Sequence, residues 1–258
     1  MASLPSVFIS HGSPMHALDP GAAGEAWRSL GRRLPRPRAV VIASAHWETN
    51  LPMLTGNPKP ETIHDFSGFP EPLYKLRYPA PGAPGVAQRA QALLKDAGIA
   101  AGIDGCRGLD HGAWAPLLYA YPDADVPVVQ LSIQPPLGPR HHIAVGRALR
   151  PLLNEQILIV GSGHMTHNLR DWGRGAGKPQ PYAREFQQWV KQKIEVHDLE
   201  SLAEYRSLNP HGARAHPTDE HFLPLFIALG AAREQAKPER IFDAIESGAL
   251  AMDAYVFN

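Results

Sequence analysis

Four short apolar runs, at residues 7–9, 39–45, 126–133 and 157–160, punctuate the chain. They are almost free of charge and rich in β-branched residues, the pattern of strands buried on both faces of a sheet. Between them the apolar spacing becomes helical, over residues 25–34, 85–97, 113–121 and 140–153, and again at 182–196. A last helix follows residues 216–221 and runs to about Gly230, with Phe222, Leu225, Phe226 and Leu229 as its apolar stripe. Pro224 is an irregularity near its start. Strand-helix-strand alternation of this kind predicts an α/β protein. Residues 52–55 read as a further short strand, and 197–214 as mixed structure. Residues 56–84 are dense in proline, glycine and aromatics and have no period, as expected of a functional loop covering a site. No repeat, charge block or linker interrupts the chain, so residues 1–258 are expected to form one catalytic domain.

The runs share an unusual ending. The first stops in Ser10-His11-Gly12, the second in His46-Trp47, and the fourth runs through Gly161-Ser162-Gly163 into His164 and His167. Parallel strands that end in histidine would present the imidazoles at the carboxyl edge of a sheet, where open α/β sheets bind ligands. A lone histidine after a strand is ordinarily a hydrogen-bonded structural residue; the recurrence points instead to half of a metal site. His11, His46, His111, His167 and one of His216 or His221 are the candidates. Glu48, Asp110, Asp219 and Glu220 are available as carboxylate partners. Imidazole ligands with open positions suit either zinc hydrolysis or ferrous oxygen chemistry, and spacing does not choose between them. His141, His142, His197 and His211 are expected on the surface.

Two alternatives fail on context. Gly161-Ser162-Gly163 lacks the third glycine of a dinucleotide loop, and neither Ser13 nor Ser162 sits in a Gly-x-Ser-x-Gly elbow. With 25 basic and 25 acidic residues the chain carries no nucleic-acid footprint. Cys106 is the only cysteine, which excludes an internal disulfide and a thiolate-rich metal site. No signal peptide or membrane-length apolar segment is evident, and a cytoplasmic protein is expected. Oligomeric state is not encoded in any of these signals.

Ordered motifs along most of the chain carry a resemblance: Ser10-His11-Gly12-Ser13-Pro14, Ser44-Ala45-His46-Trp47, Ile63-His64-Asp65-Phe66 and Gly68-Phe69-Pro70. Tyr78-Pro79-Ala80-Pro81-Gly82, Asp110-His111-Gly112-Ala113-Trp114, Val129-Gln130-Leu131-Ser132-Ile133, His167-Asn168-Leu169 and His216-Pro217-Thr218-Asp219-Glu220-His221 continue it. Together they resemble the class III extradiol ring-cleavage dioxygenases, in the 4,5-DOPA dioxygenase branch. The resemblance implies a three-layer α/β/α sandwich with a mostly parallel or mixed central sheet. It implies a mononuclear non-haem metal on His11, His46 and His221, with Fe(II) for activity and zinc as an alternative occupant. It also makes His167 the catalytic acid-base residue and His111 a second active-site histidine. Substrate contacts are expected from His64, Phe66 and His216. The implied reaction opens a catechol-type, DOPA-like ring with O2. The alternative is a zinc-dependent hydrolase built on the same three histidines. His164 falls on an open position of the motif and is expected behind the ligands or on the surface.

Overall fold

The computed structural model describes residues 3–174 and 178–258. Ten strands form around the predicted runs and beyond them: β1 (Ser6–Ser10), β2 (Ala39–Glu48), β3 (Met53–Thr55), β4 (Gly102–Asp104), β5 (Val128–Ile133), β6 (Ile157–Gly163), β7 (Pro238–Phe242), β8 (Ile245–Glu246), β9 (Leu250–Ala251) and β10 (Ala254–Phe257). The helices are α1 (Gly21–Arg33), α2 (Glu71–Lys75), α3 (Pro84–Asp96), α4 (His111–Ala120), α5 (Gly138–Leu149), α6 (Pro151–Asn154), α7 (Pro181–Glu195), α8 (Leu199–Ala203), α9 (Tyr205–Leu208), α10 (Gly212–Ala215) and α11 (Leu223–Ala231). The main sheet has the order β4-β3-β5-β2-β6-β1-β10-β7. Its centre, β5-β2-β6-β1, is parallel, whereas β3 runs antiparallel to β5 and β10 antiparallel to both β1 and β7. The sheet is therefore mixed, as the resemblance implied. β8 and β9 pair separately.

Helices cover both faces. α11, buried at every position, packs across β1, β2 and β6 with α5 beside it. On the opposite face α4 crosses β2 and β6, and α1 packs on α4. α1 buries Ala23, Gly24, Trp27 and Leu30, the three-to-four spacing of one helical stripe. Each large aliphatic or aromatic side chain sealed in this way contributes roughly 1.5–3 kcal/mol. Among the described residues no helix is long and apolar enough to cross a membrane.

Three expectations need correction. The aperiodic segment at 56–84 holds α2. The helix read over 140–153 is two, because Pro151 opens α6 directly after α5. His142 is buried rather than on the surface: its Nδ1–H donates to Gly138 O (2.7 Å) and its Nε2 accepts from Gln134 N (3.1 Å). Beyond these, β7 to β10 lie where the apolar pattern predicts no element, and β10, antiparallel to β1, reverses the sheet on that side. Pro224 falls in the first turn of α11, where a missing N–H costs nothing.

Candidate metal centre

Two strands and one helix bring the histidines together. His11 follows β1, its N–H bonded to Gly163 O at 3.1 Å, and His46 lies where the pairing of β2 with β5 is irregular. β6 separates β1 from β2 in the sheet, so both side chains flank the end of one strand. His221 comes from the turn before α11, laid over the same strand end: His164 N–H donates to His221 O at 2.7 Å. The glycines of β6 allow this approach. A Cβ at Gly161 would lie 2.1 Å from Pro224 O, and one at Gly163 would lie 2.2 Å from His221 O. Gly161-Ser162-Gly163 is thus a seat for the start of α11, not a nucleotide loop.

The three Nε2 atoms converge. Those of His46 and His11 are 3.0 Å apart and those of His221 and His46 are 3.3 Å apart. Tetrahedral ligands at 2.0–2.1 Å from an ion would be about 3.3 Å from one another. The other ring nitrogens decide whether the facing atoms carry protons. His11 Nδ1–H donates to Ser162 Oγ (3.0 Å), whose own proton goes to Gly112 O (2.5 Å). His221 Nδ1–H donates to Glu220 Oε1 (2.9 Å), and His46 Nδ1 faces Asp65 Oδ2 at 3.6 Å. The bonds to Ser162 and Glu220 place the proton of His11 and of His221 on Nδ1, and the Asp65 charge beside His46 Nδ1 favours the same tautomer there, which leaves the Nε2 lone pairs bare. Burial, reinforced by the neighbouring imidazoles, holds His11 and His221 far below the ordinary 6.5 and His46 at about 3. Three neutral imidazoles with lone pairs pointing at one spot repel one another unless a cation lies between them. The donor set therefore fits a divalent metal.

Around the cluster stand three more histidines. His111 begins α4, and its Nδ1–H and backbone N–H both donate to Asp65, each at 2.8 Å. His167 stacks on His221 with ring centroids 3.5 Å apart, and burial lowers its pKa to about 4. His164 is buried, 4.8 Å from His11 between ring centroids, and its Nδ1 has no partner. His46 with Asp65 and His111, and His167 with Glu220 and His221, also lie close enough to hold an ion. In both of these groups, however, the carboxylate already bonds an Nδ1–H, so they support the central cluster from behind.

A cavity of about 840 Å³ opens onto the cluster, lined by all six of these histidines, by Asp65, and by Phe66, Phe69, Leu169 and Trp172 among others. Phe66, expected to touch substrate, lines it. His64 and His216, expected to do the same, do not. His64 stands behind Phe66, its Nε2 against Leu76 O (3.1 Å). His216 is sealed in an aromatic core, stacked on Phe222 (4.6 Å) with Nε2 bonded to Met165 O (2.9 Å). Of the candidate carboxylates, Asp110 caps α4 and bonds Ser44 Oγ, and Asp219 bonds Tyr205 and Arg206. Sequence reasoning passed over Asp65 and Ser162. Asp65 adjoins His64 inside a quoted motif, but nothing in its spacing shows that it reaches His111.

The whole arrangement has known counterparts. Residues 5–257 match the family model described as the catalytic LigB subunit of aromatic ring-opening dioxygenase. The chain is 41% identical to 4,5-DOPA dioxygenase extradiol of Beta vulgaris, over 97% of this chain and 95% of that one. It is 40% identical to the protein of that name in Escherichia coli (strain K12), covering 96% and 93%. The crystal structure of an uncharacterized Escherichia coli K12 protein superposes with a TM-score of 0.85 at 37% identity, over 99% of this chain and 100% of that one. A histidine cluster fit for a non-haem metal, on a mixed α/β sheet matched almost end to end, therefore has its family: the chain belongs to the LigB family of aromatic ring-opening dioxygenases and is an extradiol ring-cleaving enzyme.

Proposed function

We propose that the chain, as one catalytic domain, opens a 4-substituted catechol related to DOPA, using Fe(II) held by His11, His46 and His221. The observation that carries this is the convergence of three Nε2 lone pairs whose opposite ring nitrogens are each turned to an acceptor. The relatives' named activity supplies the substrate class. Fe(II), when bound, supplies sites for the two catechol oxygens and for O2 and the electron path between them. Zinc would fill the same nitrogens without that redox path. No feature of the site or of the relatives favours the hydrolase.

The chain's own groups do the rest. His167 is neutral at physiological pH because it is buried, so it can accept the proton of a catechol hydroxyl and return it later. His111, with Nδ1–H committed to Asp65, keeps Nε2 for the substrate or for oxygen. Phe66 and Phe69 shield the reacting ring from bulk water. Both atoms of O2 enter the product, a ring-opened muconic semialdehyde, and no external reductant is needed. The test is O2 uptake with 4-methylcatechol after anaerobic Fe(II) loading: stoichiometric uptake with a yellow ring-opened product is expected. No uptake by protein shown to hold one Fe(II) per chain would refute the reading.

A further inference from the structure

A second cavity, of about 450 Å³, lies at the other end of the sheet from the histidines. Phe257 is in its wall and pairs with Ser6, the first residue of β1, whereas His11 follows the last. The cavity is therefore at the amino edge of the parallel strands and the metal centre at their carboxyl edge. Helix α11 runs between the two: His221 stands before its first turn, and Leu229, in its last turn, lines the cavity. The volume is that of a pocket for a small ligand.

Its lining is basic on one side. Arg147 comes from α5, Arg150 from the start of α6, Arg233 from just beyond α11, and His197 from the turn after α7. Most arginines of this chain stand within ion-pair distance of a carboxylate, as Arg32, Arg206 and Arg240 do. Among the described residues these three have no such partner. A guanidinium offers five N–H donors. Arg150 spends one nitrogen on Gly230 O (3.1 Å), Arg233 makes a single long bond to Ser3 O (3.4 Å), and Arg147 makes none. Bonds to helix-end carbonyls thus account for one of the three. Glu234 is the one acidic residue of the lining, so three positive charges against one leave a surplus of two, 3 − 1, without counting His197. His197 itself has φ 55°, at the position after a helix where glycine is usual, so its imidazole is held at the cavity at a conformational cost that glycine would avoid. The facing wall is apolar, with Ile194, Leu199, Leu229 and Phe257.

We infer that this cavity is a binding site for an organic phosphate monoester, its phosphate on Arg147, Arg150 and Arg233 and its organic group against Ile194, Leu229 and Phe257. A phosphate monoester carries about −1.5 to −2 charge at neutral pH, which matches the surplus, and guanidinium forks bond its oxygens in pairs. A carboxylate brings about half that charge. Calorimetry on the zinc-loaded protein with phenyl phosphate, inorganic phosphate and benzoate tests the site. Phenyl phosphate should bind once per chain, at least about tenfold more tightly than benzoate for its charge and than inorganic phosphate for its ring. Arg147→Gln combined with Arg233→Gln, both at exposed positions, should weaken phenyl phosphate by about 10- to 100-fold while the metal content is unchanged. His197→Gly, which suits the left-handed backbone and removes the imidazole, should weaken it by about 2- to 10-fold. Phosphates also bind metals, and the variants separate the two sites. Phenyl phosphate affinity that is unchanged in the double arginine variant, or lost together with the metal in His46→Ala, would place the ester at the metal centre and overturn the inference. No binding by the unaltered protein, or benzoate or inorganic phosphate bound as tightly as phenyl phosphate, would overturn it as well. None of these outcomes bears on the ring-opening reading, which the oxygen-uptake assay tests separately.

Discussion

Asp65→Asn tests how the centre is oriented. Asp65 Oδ2 accepts from His111 Nδ1 at 2.8 Å and lies 3.6 Å from His46 Nδ1, while Oδ1 accepts the His111 backbone N–H at 2.8 Å. Burial opposes ionisation, but the bonds from His111 outweigh it and hold Asp65 at about 2, so the group is a carboxylate throughout the working range. The asparagine keeps the shape and removes the charge. With its oxygen on the backbone N–H, its NH2 faces the two imidazoles and favours the tautomers protonated on Nε2. For His46 that tautomer places a proton where the metal needs a lone pair. A hydrogen bond to a charged group is worth about 1.5–3 kcal/mol, and groups that orient metal ligands typically govern 10- to 100-fold in affinity or activity. Metal affinity should accordingly fall by about 10- to 100-fold, and turnover at saturating metal should fall through His111. Competition with a chromophoric chelator measures the first and an oxygen electrode the second. Affinity within about twofold of the unaltered protein, with unchanged turnover, would refute the assigned role.

His167→Ala should retain stoichiometric metal while turnover drops by roughly 10² to 10⁴, whereas His46→Ala should lose the metal; elemental analysis beside steady-state rates checks both. Metal-free His167→Ala would make it a ligand instead. Gly163→Ala places a Cβ against His221 O, so it should cost about 1–3 kcal/mol by urea unfolding and weaken metal binding with it; a variant normal in both would show that the seat of α11 is pliable. Asp253 is sealed beside Gln187 and Arg240, and burial raises it to about 7 despite their hydrogen bonds. The folded state then holds that proton more tightly than the unfolded chain, whose carboxyl titrates near 3.9. Its contribution to stability is full below about pH 4 and is lost as pH rises towards 7, up to about 4 kcal/mol in all. Asp253→Asn should flatten this slope in unfolding midpoints measured from pH 5 to 8, and an unchanged slope would dismiss the group as its source.

The sequence by itself determined the centre of the fold and one end of its chemistry. Strands buried on both faces leave continuous apolar runs, and parallel strands share a carboxyl edge, so His11 and His46 could be placed together from pattern alone. His221 could not, because it precedes a helix 175 residues beyond His46, and only the motif resemblance marked it. Tertiary structure decided what burial and orientation determine. His142 within a helix and His216 at the end of one look like any polar helix residues, yet packing encloses both, one against Gln134 and Gly138 and the other in the aromatic core around Phe222. β7 to β10 left no clear period because β7 and β8 are only half buried and β8 and β9 are two residues long. The tautomers of the three converging imidazoles depend on Ser162, Glu220 and Asp65, two of them far from their partners along the chain. Which nitrogen carries a proton is set by the acceptor opposite it, and that acceptor exists only once the sheet, α11 and the segment before α2 have packed together.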